Sequence, residues 1–197
     1  MTQRIEFFFD FLSPYSYLAH SQLAGLGAEV VYRPMGLLKV MEQVGNSPTT
    51  ILSKAKGAYA MADIGRWAAR YGVPLTPGGM RRNDGAACGR AVLAAARYDE
   101  AAAATAAIYQ AFWGTGAPLT TSAEVVGVLA AAGLDGAAIA ALIDTPQIAA
   151  ELEANIAEAA RRGVFGSPTF FVGDDMFFGN DRLDFVRERL AQPELAA

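Results

Sequence analysis

Cysteine and histidine are almost missing from this 197-residue chain, which carries one of each, Cys88 and His20. A lone cysteine cannot close a disulfide within the chain and fits a reducing compartment, so a cytoplasmic setting is expected. One cysteine and one histidine cannot build a structural zinc site either. Apolar residues make up 53% of the sequence, yet no uninterrupted apolar run reaches the roughly 18 residues that a spanning helix needs. The start, MTQRIEFFFDF, has no basic opening followed by a long apolar segment and a small-residue cleavage site, so no export signal is expected. A basic stripe is missing too. With a net charge of −4, the chain offers phosphates little, which argues against nucleic acid as a partner.

What is present alternates between two textures. Residues 5–11 are aromatic and β-favouring, which predicts a buried strand. Ser13 and Pro14 follow, a good N-cap and a residue tolerated at the first helical position. Residues 15–26 then read as a helix stopped by Gly27, and residues 29–33 (EVVYR) as a second strand ended by Pro34. An alanine-rich block comes next, with helical spacing over 54–71, 86–112, 122–132, 136–143 and 147–162, and with Ser122 and Asp135 as caps. After Gly163 the first texture returns. Residues 169–172 (TFFV) and 176–178 (MFF) read as a hairpin, and 182–190 as a last helix. The expected fold is therefore α/β, a thioredoxin-like βαβ…ββα sheet interrupted by a large all-helical insertion. The expected division is residues 1–40 with 163–197 for the sheet domain and 41–162 for the insertion.

Three short stretches could carry chemistry. Ser13-Pro14-Tyr15-Ser16 sits at a strand-to-helix junction, where free amides and about half a positive charge favour an anion. Redox members of this fold hold two cysteines there; here both are serine, which removes disulfide exchange. The Ser13 hydroxyl could donate to a thiolate carried by a ligand, or could simply cap the helix. Ser167-Pro168, just before a strand, is a candidate cis peptide that would turn the Ser167 amide and carbonyl toward an extended ligand, or else a plain loop proline. Asn180-Asp181 could hold the ammonium of an amino-acid ligand, or cap the last helix. A serine hydrolase is excluded on geometry. His20 lies about 10 Å of helical rise beyond Ser13, and no Gly-x-Ser-x-Gly elbow occurs. Cys88, Trp67 and Trp113 read as helix packing, and Asp10 as a strand terminator beside the site.

Residues 8–18 (FFDFLSPYSYL), 56–75 and 163–183 (GVFGSPTFFVGDDMFFGNDRL) together resemble the 2-hydroxychromene-2-carboxylate isomerases and kappa-class glutathione transferases, in the DsbA-like branch of the thioredoxin fold. The resemblance implies glutathione as cofactor. Ser13 would face its sulfur, Ser167 beside Pro168 its cysteinyl backbone, and Asn180 and Asp181 its γ-glutamyl group. Lys56 would meet its glycyl carboxylate, and Asn46 would line the sulfur-side pocket. On the substrate side it implies Val40 and Met41 near the aromatic ring, with Arg81, Arg82 and Asn83 near the carboxylate. The implied activity is glutathione-dependent cis–trans isomerisation of 2-hydroxychromene-2-carboxylate, in aromatic catabolism such as naphthalene degradation, by a homodimer. A glutathione transferase for small electrophiles and a non-catalytic glutathione-binding module are the alternatives.

Overall fold

The computed structural model describes residues 3–76 and 83–192. In chain order these form β1 (Arg4–Phe9), α1 (Pro14–Leu23) with a 3-10 turn (Ala24–Leu26), and β2 (Glu29–Pro34). Helices follow: α2 (Leu37–Gln43), α3 (Thr49–Leu52), α4 (Lys54–Tyr71), α5 (Gly85–Ala95), α6 (Ala101–Tyr109), α7 (Ser122–Ala131), α8 (Gly136–Ile143) and α9 (Pro146–Arg161). The chain returns to the sheet with β3 (Thr169–Val172) and β4 (Asp175–Phe178), then a 3-10 turn (Asn180–Arg182) and α10 (Leu183–Ala191). The strand order is β2-β1-β3-β4, with β1 parallel to β2 and antiparallel to β3. This is the expected thioredoxin-like sheet, its halves separated in sequence by a helical block.

The two faces of β1 explain why this sequence folds around it. Successive strand side chains point to opposite faces. Phe7 and Phe9 stack on each other at 4.6 Å and Phe7 on Phe170 at 5.3 Å, on the face packed by α1, α5 and α6. Phe8 and Phe171 meet edge-on at 5.7 Å on the other face, under Val40 of α2 and Ile148, Leu152 and Ile156 of α9. Truncating any one of these phenylalanines to alanine costs about 3–5 kcal/mol. Among the described residues, no helix is long and apolar enough to cross a membrane.

Several boundaries differ from the sequence reading, for physical reasons. The strand predicted over 5–11 ends at Phe9, because Asp10 commits its backbone and side chain to loop contacts. The helix predicted over 86–112 is three pieces: α5, then a 3-10 turn (Ala96–Tyr98) ended by Asp99 at φ 60, then α6, which passes into a π-helical turn (Gln110–Thr115). The cap of α7 is Thr121, which exchanges bonds with Glu124 in a capping box; Ser122 is the first helical residue and donates to Asp144 at 2.9 Å. The helices α2 and α3 were not expected, and residue 40, the proposed limit of the sheet domain, lies within α2.

Candidate active site around Ser13 and Ser167

Ser13 caps α1. Its Oγ accepts the Ser16 amide at 3.3 Å, and Pro14 fills the first helical position, where no N–H is missed. The Ser13 amide donates to the Asp10 carbonyl at 3.0 Å, which tightens the turn out of β1. The Ser13 hydroxyl donates in turn to the carbonyl of Ser167, 154 residues away, at 3.1 Å. The two stretches singled out first and second in the sequence therefore meet directly. The Ser167–Pro168 bond is cis. Within the described residues, the amides of Ser167 and Tyr15 form no hydrogen bond, so two N–H donors remain beside the Ser13 hydroxyl.

Two residues hold this junction from beneath. Ser16, the second serine of the pair and fully buried, shares a 2.6 Å hydrogen bond with the Ser167 hydroxyl. Asp10 donates its amide to the same Ser167 hydroxyl at 3.0 Å. The Asp10 carboxylate accepts the amides of Leu12 at 2.8 Å and Leu37 at 2.7 Å. Leu37 is the first residue of α2, whose own N-cap, Gly36, has no side chain to offer. Asp10 thus caps α2 from another element. Burial pushes its carboxyl above the usual aspartate range, opposed by the two amides. Sequence reasoning gave Ser16 no role of its own. Its spacing of three residues from Ser13 on a helix was a usable signal, since i and i+3 share a face.

The other expected ligand residues surround this centre. Asn46 donates its Nδ2 to the Phe165 carbonyl at 2.8 Å, fastening the loop two residues ahead of Ser167. Lys56 and Tyr15 line one cleft of about 440 Å³ together with Thr50 and Tyr59. Tyr15 donates its hydroxyl to Asp63 at 3.0 Å; burial and that carboxylate raise its pKa. Asn180 is buried, its carbonyl accepts the Tyr71 hydroxyl at 3.1 Å, and its Nδ2 has no partner among the described residues. The Gly179 amide, just ahead of it, donates to the Pro168 carbonyl at 2.9 Å. Asp181 is exposed and paired with Arg182 at 2.6 Å. Its carboxylate folds over Gly179, whose φ of 105 is a conformation that favours glycine. Neither Asn180 nor Asp181 caps the last helix by its side chain; that helix begins after Arg182 without a side-chain cap.

The substrate-side expectations fare differently. Val40 is wholly buried in the core under Phe8 and Phe171, so it is a packing residue and does not face a ligand. Met41 is half-buried on α2, and its carbonyl accepts the Asn46 amide at 2.8 Å. The Asn83 side chain accepts the Leu119 amide at 2.9 Å, which ties it to the loop before α7. Arg81 and Arg82 lie outside the described residues. His20 packs against Phe7, Tyr32 and Tyr109, and burial pushes its pKa down to about 4. Cys88 is a buried core residue whose thiol pKa is raised, chiefly by burial.

Comparison with known proteins finds relatives along nearly the whole chain. The chain is 38% identical to a 2-hydroxychromene-2-carboxylate isomerase of Sphingobium xenophagum, over 96% of this chain and 99% of that protein. It is 33% identical to one of Pseudomonas putida, over 95% of this chain and 94% of that protein. A glutathione S-transferase kappa 1 of Caenorhabditis elegans is 28% identical over 97% of this chain and 92% of that protein. The solved structure of a 2-hydroxychromene-2-carboxylate isomerase superposes with a TM-score of 0.81 at 31% identity, covering 96% of this chain and 97% of that one. Residues 4–191, nearly the whole chain, match the DSBA-like thioredoxin domain, and the chain belongs to the DSBA-like thioredoxin family.

Proposed function

We propose that this protein is a glutathione-dependent isomerase that converts 2-hydroxychromene-2-carboxylate to trans-o-hydroxybenzylidenepyruvate in the breakdown of aromatic hydrocarbons such as naphthalene. The observation that carries the reading is a helix-capping hydroxyl, Ser13, bonded to the residue before a cis-proline, in a chain similar along nearly its whole length to isomerases. The site fits a peptide-like thiol on its own terms. The Ser167 amide stands ready for the cysteinyl backbone, and the buried Asn180 Nδ2 lacks a partner among the described residues. Asn180 and Asp181 would hold the γ-glutamyl end, Lys56 the glycyl carboxylate, and Asn46 the pocket wall by the sulfur.

Bound glutathione would supply a thiolate that adds to the conjugated substrate and departs after a bond rotation, so none is consumed. The chain's own contribution is electrostatic. The hydroxyl of Ser13 would turn from the Ser167 carbonyl to the sulfur, and the Tyr15 amide and the partial positive charge at the start of α1 would favour the anion. Ser13 attacks nothing; it activates by lowering a thiol pKa. His20 has no part, being packed among aromatic rings with a depressed pKa.

The likeness to a kappa-class transferase supports a second reading, irreversible conjugation of small electrophiles at the same sulfur site. One assay separates the two. Enzyme, glutathione and hydroxychromene carboxylate are mixed, the spectrum is followed, and free thiol is titrated. Turnover that needs glutathione but leaves its concentration constant supports the isomerase, whereas thiol loss in step with conversion points to the transferase. Conversion at full rate without glutathione would overturn both. The reading also expects a cytoplasmic homodimer, which sedimentation of the purified protein tests for its second half.

A further inference from the structure

The core claims Val40, which leaves only the half-buried Met41 of the surface expected for the substrate ring. The structure offers another. Phe165 and Phe178 are 38% and 42% exposed, yet their rings pack at 4.7 Å with an interplanar angle of 56°. Both flank the cis-proline loop. Phe165 stands two residues before Ser167, and Phe178 lies opposite Thr169 in the β3–β4 register. On the same sheet face Phe171 is 3% exposed and Phe8 is fully buried, both covered by α2 and α9. That cover does not reach the cis-proline end of β4, where the aromatic pair stays open to solvent.

The backbone beside the pair is pinned. Asn46 fixes the Phe165 carbonyl at 2.8 Å, and the Thr169 hydroxyl fixes the Gly166 carbonyl at 2.9 Å. Gly166 lies directly against the Phe178 ring, so close that an added Cβ would sit 2.2 Å from Cε2. A preformed aromatic surface next to the free amide of Ser167 suits a planar ring carried on, or approaching, a sulfur bound at Ser13. We infer that Phe165 and Phe178 form the subsite for the aromatic ring of the substrate and are specificity-determining residues. The inference rests on the glutathione reading above and adds an aromatic surface for the ring to it. Offset or edge-to-face aromatic contact beyond simple burial corresponds to about three- to tenfold in affinity.

The test uses calorimetry on the full chain with two probes, S-methylglutathione and S-benzylglutathione, against wild type, Phe165→Leu and Phe178→Leu. Leucine keeps apolar packing against Gly166 and removes the aromatic face. The expected result is a wild-type preference for the benzyl probe that falls about three- to tenfold in each variant, with the affinity for the methyl probe unchanged. A preference that survives in both variants overturns the subsite and leaves the glutathione reading standing. Failure of wild type to bind either probe overturns the glutathione reading, and the subsite with it. A variant that alters the sedimentation coefficient while keeping the benzyl preference would make the pair a contact between copies of the chain, which also overturns the subsite.

Discussion

The Asp10 carboxylate is the most demanding place to test how the site is assembled. Replacing Asp10 by alanine leaves two amides, those of Leu12 and Leu37, without acceptors in a largely buried junction. Each unsatisfied buried donor costs about 1–3 kcal/mol, so the variant should lose roughly 2–6 kcal/mol, less whatever is recovered by no longer burying a carboxylate. Asp10→Asn should lose about 1–3 kcal/mol, because its amide oxygen still serves one donor while its NH2 group faces the other. Urea unfolding measures both. The pH dependence has a definite sign. A carboxyl whose folded pKa lies above its unfolded value of 3.8 gives a stability contribution that is complete below that value. The contribution fades as pH rises through the raised folded value. Asparagine does not titrate, so the margin of wild type over Asp10→Asn should be wider at pH 4 than at pH 7. The titratable groups that feel Asp10, namely Cys88 and Tyr109, are common to both proteins. A margin that narrows toward acid would refute the dominance of burial over the two amides, and an alanine variant within about 0.5 kcal/mol of wild type would refute the assignment of Asp10 as the cap on α2.

Three further outcomes follow from the same geometry. Ser13→Ala should lose about 1 kcal/mol of stability with the cap and most of its isomerase rate, while circular dichroism stays unchanged; wild-type turnover would remove Ser13 from the mechanism. Ser16→Ala touches no ligand, yet it frees the Ser167 hydroxyl from its 2.6 Å bond. It should cost about 1–2 kcal/mol and weaken glutathione binding by calorimetry, and Ser16→Thr, which keeps the hydroxyl, should restore part of that binding. Asp181→Ala should raise the glutathione dissociation constant with little change in the rate at saturation; an unaltered affinity would count against its hold on the γ-glutamyl end.

How much of this was legible in the sequence depended on whether the cause was local. The strand FFF, the Ser-Pro helix start, the cis-proline and the hairpin near the end all declare themselves within a few residues, and each was found. Helix α2 was missed because its cap is Asp10, 27 positions upstream, which no window along the sequence can reveal. The long helix predicted over 86–112 failed for the opposite reason. Alanine suits a helix at every position, so composition hid a break imposed by Asp99 at φ 60. The same blindness misplaced Val40, a β-branched residue that reads equally well as a pocket wall and as core. Ser13 and Ser167, singled out separately in the sequence, meet in the structure, yet the Phe165–Phe178 pair looked like ordinary strand flanks, because exposure depends on how far α2 and α9 extend over β4.

The order of strands has a consequence for how this molecule must be made. β1 emerges first during synthesis and β2 follows soon after, but the other edge of β1, a strand rich in phenylalanine, waits for β3, which lies more than 150 residues later in the register Phe8 to Thr169. Throughout that interval the nascent protein carries a sticky, half-finished ribbon. Release from the ribosome with the last thirty or so residues missing should therefore yield insoluble material and no partially active enzyme.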